Sequence, residues 1–403
     1  MFDALFTTTT EYKKLSHALS GKGACALFGL PASGRAQVYA ALCRQLDKPL
    51  CIVTPGEAEA TRFAADLNTL GIPAAVFPAR DYVLRPIEGT AREYEYRRLA
   101  VLGELVGGRL RAVAVPAEAL TQFTTPKEDF CANTRTLHAG DTLLRDDLLA
   151  ALFGAGYTRR AQVDGPGQFS VRGDIVDIFA PDQKMPVRME FWGDEIDTLH
   201  TFDLTTQRRE DAIDKFYLSP AREVLFGKPA DAAEQLRAFL AKQRGKKKTA
   251  MADCMAADLD LLDGGAVPVN MDKYLAVRYP HPATVLDYFD DPILVAEEPA
   301  SIREADRATA YRRGEELKAL ILDGVLCAGL DNLYADPSYL WSKTGHYRTI
   351  CAENFARSMP DQPLKDIINA PAHTLPAWNG EVAGLLEDLE ALCDAGYIVT
   401  LLA

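Results

Sequence analysis

Several short stretches of this chain hold residue types that could do chemistry. The first is Gly29-Leu30-Pro31-Ala32-Ser33-Gly34-Arg35-Ala36. A loop of this form, set between a buried strand and a helix, cradles phosphate with backbone N–H groups and the helix N-terminus. A working version ends in Lys followed by Ser or Thr, which supply a point charge and a Mg²⁺ ligand. Here the two glycines keep the spacing, but Arg35 replaces the Lys and Ala36 has no oxygen for a metal. The loop Gly29, Ser33, Gly34, Arg35 therefore reads as a degenerate phosphate loop that hydrolyses nothing. The second stretch is Ile293-Leu294-Val295-Ala296-Glu297-Glu298-Pro299, an apolar strand ending in two carboxylates. It lies where an NTPase keeps the acid that helps hold Mg²⁺. Glu297 stands in place of the usual Asp, so two solvated carboxylates are expected.

A third signal comes from alternation. In Gln168–Gly173 and Pro186–Gly193, Phe169, Val171, Val187, Met189 and Phe191 point one way, and Arg172, Arg188, Glu190 and Trp192 point the other. An exposed Trp beside two arginines has the composition of an interface hot spot. The competing expectation is a Trp192 covered by a loop and two ordinary surface cations. Arg244-Gly245-Lys246-Lys247-Lys248 is the one dense basic run. It follows a helical stretch, Ala232–Gln243, whose C-terminal dipole suits cations, so it reads as a solvated helix end, with nucleic-acid contact as the alternative. Arg92, Arg97 and Arg98, interleaved with Glu93, Tyr94, Glu95 and Tyr96, read as a mixed-charge helix face. The six histidines include no metal pairing, and the eight cysteines include no CxxC. The cysteines read as buried, reduced thiols of a cytoplasmic protein. No catalytic residue, metal ligand or cofactor is assigned.

These stretches need elements to position them. With 403 residues, 48% hydrophobic and 25% charged, the chain has room for two or three packed domains. A net charge of −13 disfavours a general nucleic-acid binder. No secretion signal and no apolar run of about 20 residues is present, so no membrane contact is expected. Strands at Ala24–Phe28, Leu50–Val53, Ala74–Phe77 and Ala112–Val115 alternate with a helical pattern through Val38, Ala41, Leu42, Gln45 and Leu46 and with helices at Glu57–Leu70 and Tyr94–Val106, which predicts a parallel sheet covered on both faces. From Lys127 the pattern changes. A helix at Asp146–Phe153 precedes short alternating strands, which predict a small antiparallel sheet with one wet face. Helical segments then return, with Asp231 and Glu234 at capping-box spacing, a strand at Ile293–Ala296 and a helix at Ala305–Leu322. Val382, Leu385, Leu386, Leu389 and Leu392 form a helical stripe before a last strand, Ile398–Leu402. That strand has no continuation, as expected of a piece of a longer chain.

The insert also carries a resemblance. Gly156-Tyr157, the run Gly167-Gln168-Phe169-Ser170-Val171-Arg172-Gly173-Asp174-Ile175-Val176-Asp177-Ile178-Phe179, the run Pro186 to Asp197, and Phe202-Asp203 through Thr206-Gln207-Arg208 resemble the module shared by the excision-repair protein UvrB and the transcription-repair coupling factor Mfd. The phosphate loop, which UvrB needs intact, is degenerate, and the short path from Phe77-Pro78-Ala79-Arg80-Asp81 to the helix at Tyr94 leaves no room for UvrB's damage-probing hairpin. They favour the UvrB-like half of Mfd, over roughly residues 10–350.

The resemblance implies a helicase-like α/β domain (1–127 and 216–355) with a degenerate phosphate loop, split by an inserted antiparallel α+β domain (128–215), with a linker and the start of a further small α/β domain at 356–403. It implies a bacterial DNA-repair protein of nucleotide excision repair that recruits UvrA to stalled transcription complexes without catalysis of its own. The family's UvrA-contacting arginines fall on Arg172 and Arg188, and its contacting aromatic falls on Trp192, where Phe is more usual. RNA polymerase, double-stranded DNA, and the ATP and Mg²⁺ of the family's translocase motor are implied for domains beyond Ala403. A UvrB-like ATP-dependent damage-binding protein and a DNA-binding module are the alternatives.

Overall fold

A computed structural model describes residues 7–87, 92–355, 362–372, 380–397 and 399. The large sheet has seven strands: β1 (Gly23–Phe28), β2 (Leu50–Thr54), β3 (Ala74–Val76), β4 (Ala112–Pro116), and, after the insert, β13 (Ile293–Glu297), β14 (Arg348–Glu353) and β15 (Leu364–Asn369). Their order is β15-β1-β14-β13-β2-β4-β3, and every pairing is parallel. Strands covered on both faces read as continuous apolar runs, as β1, β2 and β4 do, whereas the edge strand β15 carries Lys365 and Asp366 and is mostly exposed. In β1, Cys25 and Leu27 join the core under helices α1 (Thr10–Ala18), α2 (Ala32–Leu46) and α3 (Glu57–Thr69), while Ala24, Ala26 and Phe28 join the core under α4 (Glu93–Val106). Between Val76 and Glu93 the described residues form no strand.

Buried ion pairs join the two segments of this domain across the insert. Arg98 of α4 is fully buried and donates to Glu223 at 2.6 Å, and Arg80 pairs with Asp272 at 2.6 Å. This corrects the expectation of a plain mixed-charge face on α4. Arg92 and Arg97 keep to its rim, but Arg98 and Glu95 turn inward, where only paired charges can be held.

The insert packs helix α5 (Arg145–Gly154) against a sheet of six strands: β6 (Thr158–Arg159), β7 (Gln168–Arg172), β8 (Ile175–Phe179), β9 (Val187–Trp192), β10 (Glu195–Phe202) and β11 (Arg209–Ala212). The pairings are antiparallel except β6 with β7, which is parallel. A separate two-stranded sheet pairs β5 (Arg135–His138) with β12 (Lys215–Leu218). Phe169, Val176, Ile178, Val187, Met189, Phe191, Ile196 and Leu199 fill the inner face against Leu148 and Leu152.

Helices α6 (Pro229–Ala241) and α7 (Gly245–Asp263) form a lobe with α8 (Pro299–Leu322) and the loop after it. Two local expectations are corrected here. The helix begins at Pro229, and Asp231 accepts from the Lys228 N–H at 3.3 Å, so Asp231 lies inside the first turn rather than capping it. Pro at the first helical position fixes that earlier start. The basic run Lys246 to Lys248 opens α7 instead of merely following a helix, so its cations meet the positive end of a helix dipole. Strand β15 is the edge of the large sheet, beside β1, where residues after 355 were expected to be linker and a further domain. The leucine stripe lies on helix α9 (Val382–Asp394). The strand expected at Ile398–Leu402 lies outside the described residues except for Val399. No described helix is long and apolar enough to cross a membrane.

Candidate functional site

Two places bring the singled-out residues together. The first is the crevice at the C-terminal ends of β1 and β13, where open α/β sheets bind ligands. Strand β14 separates the two, so their ends lie about 10 Å apart, and Arg35, in the first turn of α2, closes the gap. Its Nη2 lies 2.8 Å from Glu297 Oε2 and 3.0 Å from Glu298 Oε1, and its Nη1 donates to Leu30 O and Asn354 Oδ1, both at 3.2 Å. Tyr39 donates to Glu297 Oε1 at 2.5 Å. Arg35 and Glu297 are both almost fully buried, so the expectation of two solvated carboxylates is corrected: Glu297 is the counter-charge of Arg35, and only Glu298 reaches solvent. Burial pushes the Glu297 carboxyl up to about 7, with Arg35 and the Tyr39 hydroxyl opposing. Gly29 is also covered. At φ +90° its α-carbon faces Ala370 O, and Ala370 N–H donates back to Phe28 O at 2.9 Å. The cation that would meet phosphate is engaged internally. Among the described residues, no group of three or more His, Cys, Asp or Glu is placed to hold a metal.

The second place is the outer face of the inserted sheet. Hairpin register puts Ser170, Asp177, Arg188 and His200 in one row, and Arg172, Ile175 and Glu190 in the next. Trp192 follows one step further along β9. Two turns of the same type set this end. Arg172 and Trp192 each stand just before a two-residue Gly-Asp loop, Gly173-Asp174 and Gly193-Asp194, and both glycines have φ near +60°. A positive φ at the first loop position is what such a tight hairpin needs, and glycine takes it without strain. Arg145 of α5 braces the first loop by donating to Gly173 O at 2.8 Å.

Trp192 is 82% exposed, which discards the expectation that a loop covers it. The Arg172 side chain is 47% exposed. Arg188 is the exception to the sequence reading. Alternation puts it on the outer face, but only 9% of it is accessible. The turn Asp203–Arg208, tied by Asp203 accepting from Thr206 N–H at 2.7 Å, folds over it, and Gln207 O accepts from its Nη1 at 3.2 Å. Its guanidinium stacks 4.7 Å from the Phe202 ring centre. The outer face is therefore half dry: Val163, Phe179 and Phe202 form a small core at one end, and the wet end carries Arg172 and Trp192.

The residue that alternation alone could not single out is Asp177. It is fully buried and accepts from Arg188 Nε at 2.7 Å, from Arg188 Nη2 at 3.0 Å and from Arg172 Nη2 at 2.5 Å. A paired fork of this kind fixes direction as well as charge. Glu190 was also missed as a partner. It sits between Arg172 and Trp192, pairs with Arg209 and accepts from Thr198. The signal for both was present, since carboxylates on the arginine face of a sheet invite cross-strand pairs.

The model of the UvrB interaction domain family matches residues 136–224, which contain the whole sheet. The transcription-repair-coupling factor of Bacillus subtilis (strain 168) is 25% identical over 387 residues, covering 93% of this chain and 33% of that protein. That of Myxococcus xanthus is 35% identical over 208 residues, covering 49% of this chain and 17% of the relative. That of Mycobacterium tuberculosis (strain CDC 1551 / Oshkosh) is 34% identical over 257 residues, covering 61% and 20%. The chain thus spans a third or less of the length of these relatives, and it resembles an N-terminal region of transcription-repair-coupling factors.

Proposed function

We propose that this chain is the recruitment module of a transcription-coupled repair factor and that the wet end of its inserted sheet docks UvrA. The observation that carries this reading is Trp192, a large aromatic exposed on a rigid hairpin beside a half-exposed Arg172 held in direction by Asp177. A surface indole costs little entropy to bury, and Trp and Arg dominate interface hot spots. Arg172 would donate charge-assisted hydrogen bonds to carboxylates of the partner while Asp177 keeps its orientation. Arg188 acts from beneath: it neutralises Asp177 and supports the patch instead of touching UvrA broadly. No chemistry is assigned to the chain itself. The Arg35–Glu297 pair fills the place a nucleotide phosphate would need, which supports recruitment over the ATPase reading. RNA polymerase and double-stranded DNA, with ATP and Mg²⁺, would engage parts of the relatives that this chain does not span.

The test is an amide-exchange footprint of the chain with and without purified UvrA. Added protection at 172–175 and 190–195, with the crevice at Arg35 unchanged, is the expected result. Protection confined to the lysine run at 246–248 or to the crevice would overturn the assignment.

A further inference from the structure

The outer face of the inserted sheet carries a second half-exposed arginine, which strand alternation does not pick out. Arg209 opens β11, the edge strand, directly opposite Phe202 of β10. Residues directly opposed across two strands share a face, so Arg209 stands on the outer face with Phe202. The register of β10 against β11 shifts between His200 and Phe202. A bulge of this kind bends an edge strand and re-aims its side chains. Here the Arg209 side chain reaches back across β10, and its Nη2 pairs with Glu190 Oε1 on β9. Glu190 is fixed in turn, since Thr198 Oγ1 donates to its Oε2 at 3.2 Å.

The two sides of β9 are built alike. Arg172 comes in from β7 and is held by Asp177; Arg209 comes in from β11 and is held by Glu190. In both pairs the carboxylate lies deeper than the cation. The Asp177 side chain is fully buried and that of Glu190 is 21% exposed, against 47% for Arg172 and 45% for Arg209. A guanidinium has five N–H donors, so each arginine can bond its carboxylate and still present donors to an outside acceptor. Trp192 follows Glu190 on β9, the strand between the two arginines.

We propose that Arg209 is a third anchor of the docking surface and that the partner meets it with a carboxylate. The inference rests on the reading that the wet end of this sheet docks UvrA. Two features argue for that occupant: the surface runs without a break from Arg172 and Trp192 through Glu190 to Arg209, and a fixed guanidinium is matched by a carboxylate through two parallel hydrogen bonds. Glu190 is a positioning residue. Its pair with Arg209 sets where the fork points before the partner arrives, so less side-chain freedom is lost on docking. The face thus presents two cations around a carboxylate and an indole. It fits a partner with acidic groups on both sides of an apolar pocket, and it repels one that sets a carboxylate against Glu190.

The experiment follows UvrA binding kinetics with the native 403-residue chain and with Arg209→Ala, Arg209→Lys and Trp192→Ala, at low and high salt. Arg209→Ala should weaken affinity roughly tenfold at low salt, with slower association, and the gap should narrow at high salt as the charge is screened. Arg209→Lys returns the charge without the fork and should restore most of the association rate. Melting temperatures should match the native chain, because β11 is exposed throughout. An Arg209→Ala chain that binds as tightly as the native one overturns this inference, and if Trp192→Ala still loses affinity the docking reading stands. A native chain that does not bind UvrA overturns both.

Discussion

At the scale of single residues, burial separates two arginines that look equivalent. Arg172 and Arg188 both contact Asp177, yet one is half-exposed and the other is covered. Removing one partner of a buried pair strands the other charge and costs about 3 kcal/mol or more, while a half-exposed pair is worth about 1 kcal/mol or less. Arg188→Ala should therefore lower stability by about 3 kcal/mol in urea titration, and Arg172→Ala by less than about 1 kcal/mol. Equal losses would contradict the division of roles. Glu297 gives a pH-dependent expectation. Its folded-state value is raised to about 7 by burial, so the folded chain holds that proton more tightly than the unfolded chain does. The resulting contribution is complete at low pH and is lost as pH rises through 7. Between pH 5 and pH 8 the melting temperature should fall more steeply in the native chain than in Glu297→Gln. Trp192 was legible as an exposed candidate because period-two alternation needs only sequence. The covering of Arg188 was not, because it depends on a turn at Asp203–Arg208 folding back from another strand.

At the scale of elements, the two glycines of the degenerate loop have separated in role. Gly29 is held at φ +90°, and a Cβ there would lie 2.8 Å from Ala370 O. Gly34 has become part of helix α2, and a Cβ there would meet only ordinary contacts at 3.6 Å and beyond. Gly29→Ala should cost about 2 kcal/mol from strain and the close approach. Gly34→Ala should be neutral or stabilise by up to about 1 kcal/mol, because alanine is the better helix former. Thermal melts of the two variants decide this; a Gly34→Ala chain that loses as much as Gly29→Ala would mean that the loop still needs both glycines. Most strands and helices of the parallel sheet were readable, since apolar runs between helical periods leave few alternatives. Strand β15 was not read from the sequence, which assigned its residues to a linker and a further domain, because membership of a distant sheet edge is a tertiary fact that leaves no local trace. The Asp231 cap failed for a nearer reason: Pro229 starts the helix before the capping pattern does.

At the scale of the whole molecule, one α/β domain made from two distant segments carries a small sheet as an outgrowth. The crevice at the ends of β1 and β13 is occupied by the Arg35–Glu297 pair, and the exposed Trp192 lies on the outgrowth. This arrangement predicts that calorimetric titration with Mg²⁺ and ATP gives no heat of binding; micromolar affinity would contradict the occupied crevice. The division into a parallel-sheet domain and an inserted sheet was legible from the change of period near Lys127. The third, helical lobe was not, because its helices pack on α8 through contacts that no local pattern records.

The most direct test of the account is a titration of purified UvrA against the native chain and the Arg172→Glu, Trp192→Ala double variant. Loss of a hot-spot anchor costs about 2 kcal/mol or more, roughly 30-fold in affinity, and charge reversal adds to it. The account predicts at least that loss with the melting temperature nearly unchanged, since neither side chain is buried. Affinity equal to that of the native chain would contradict it.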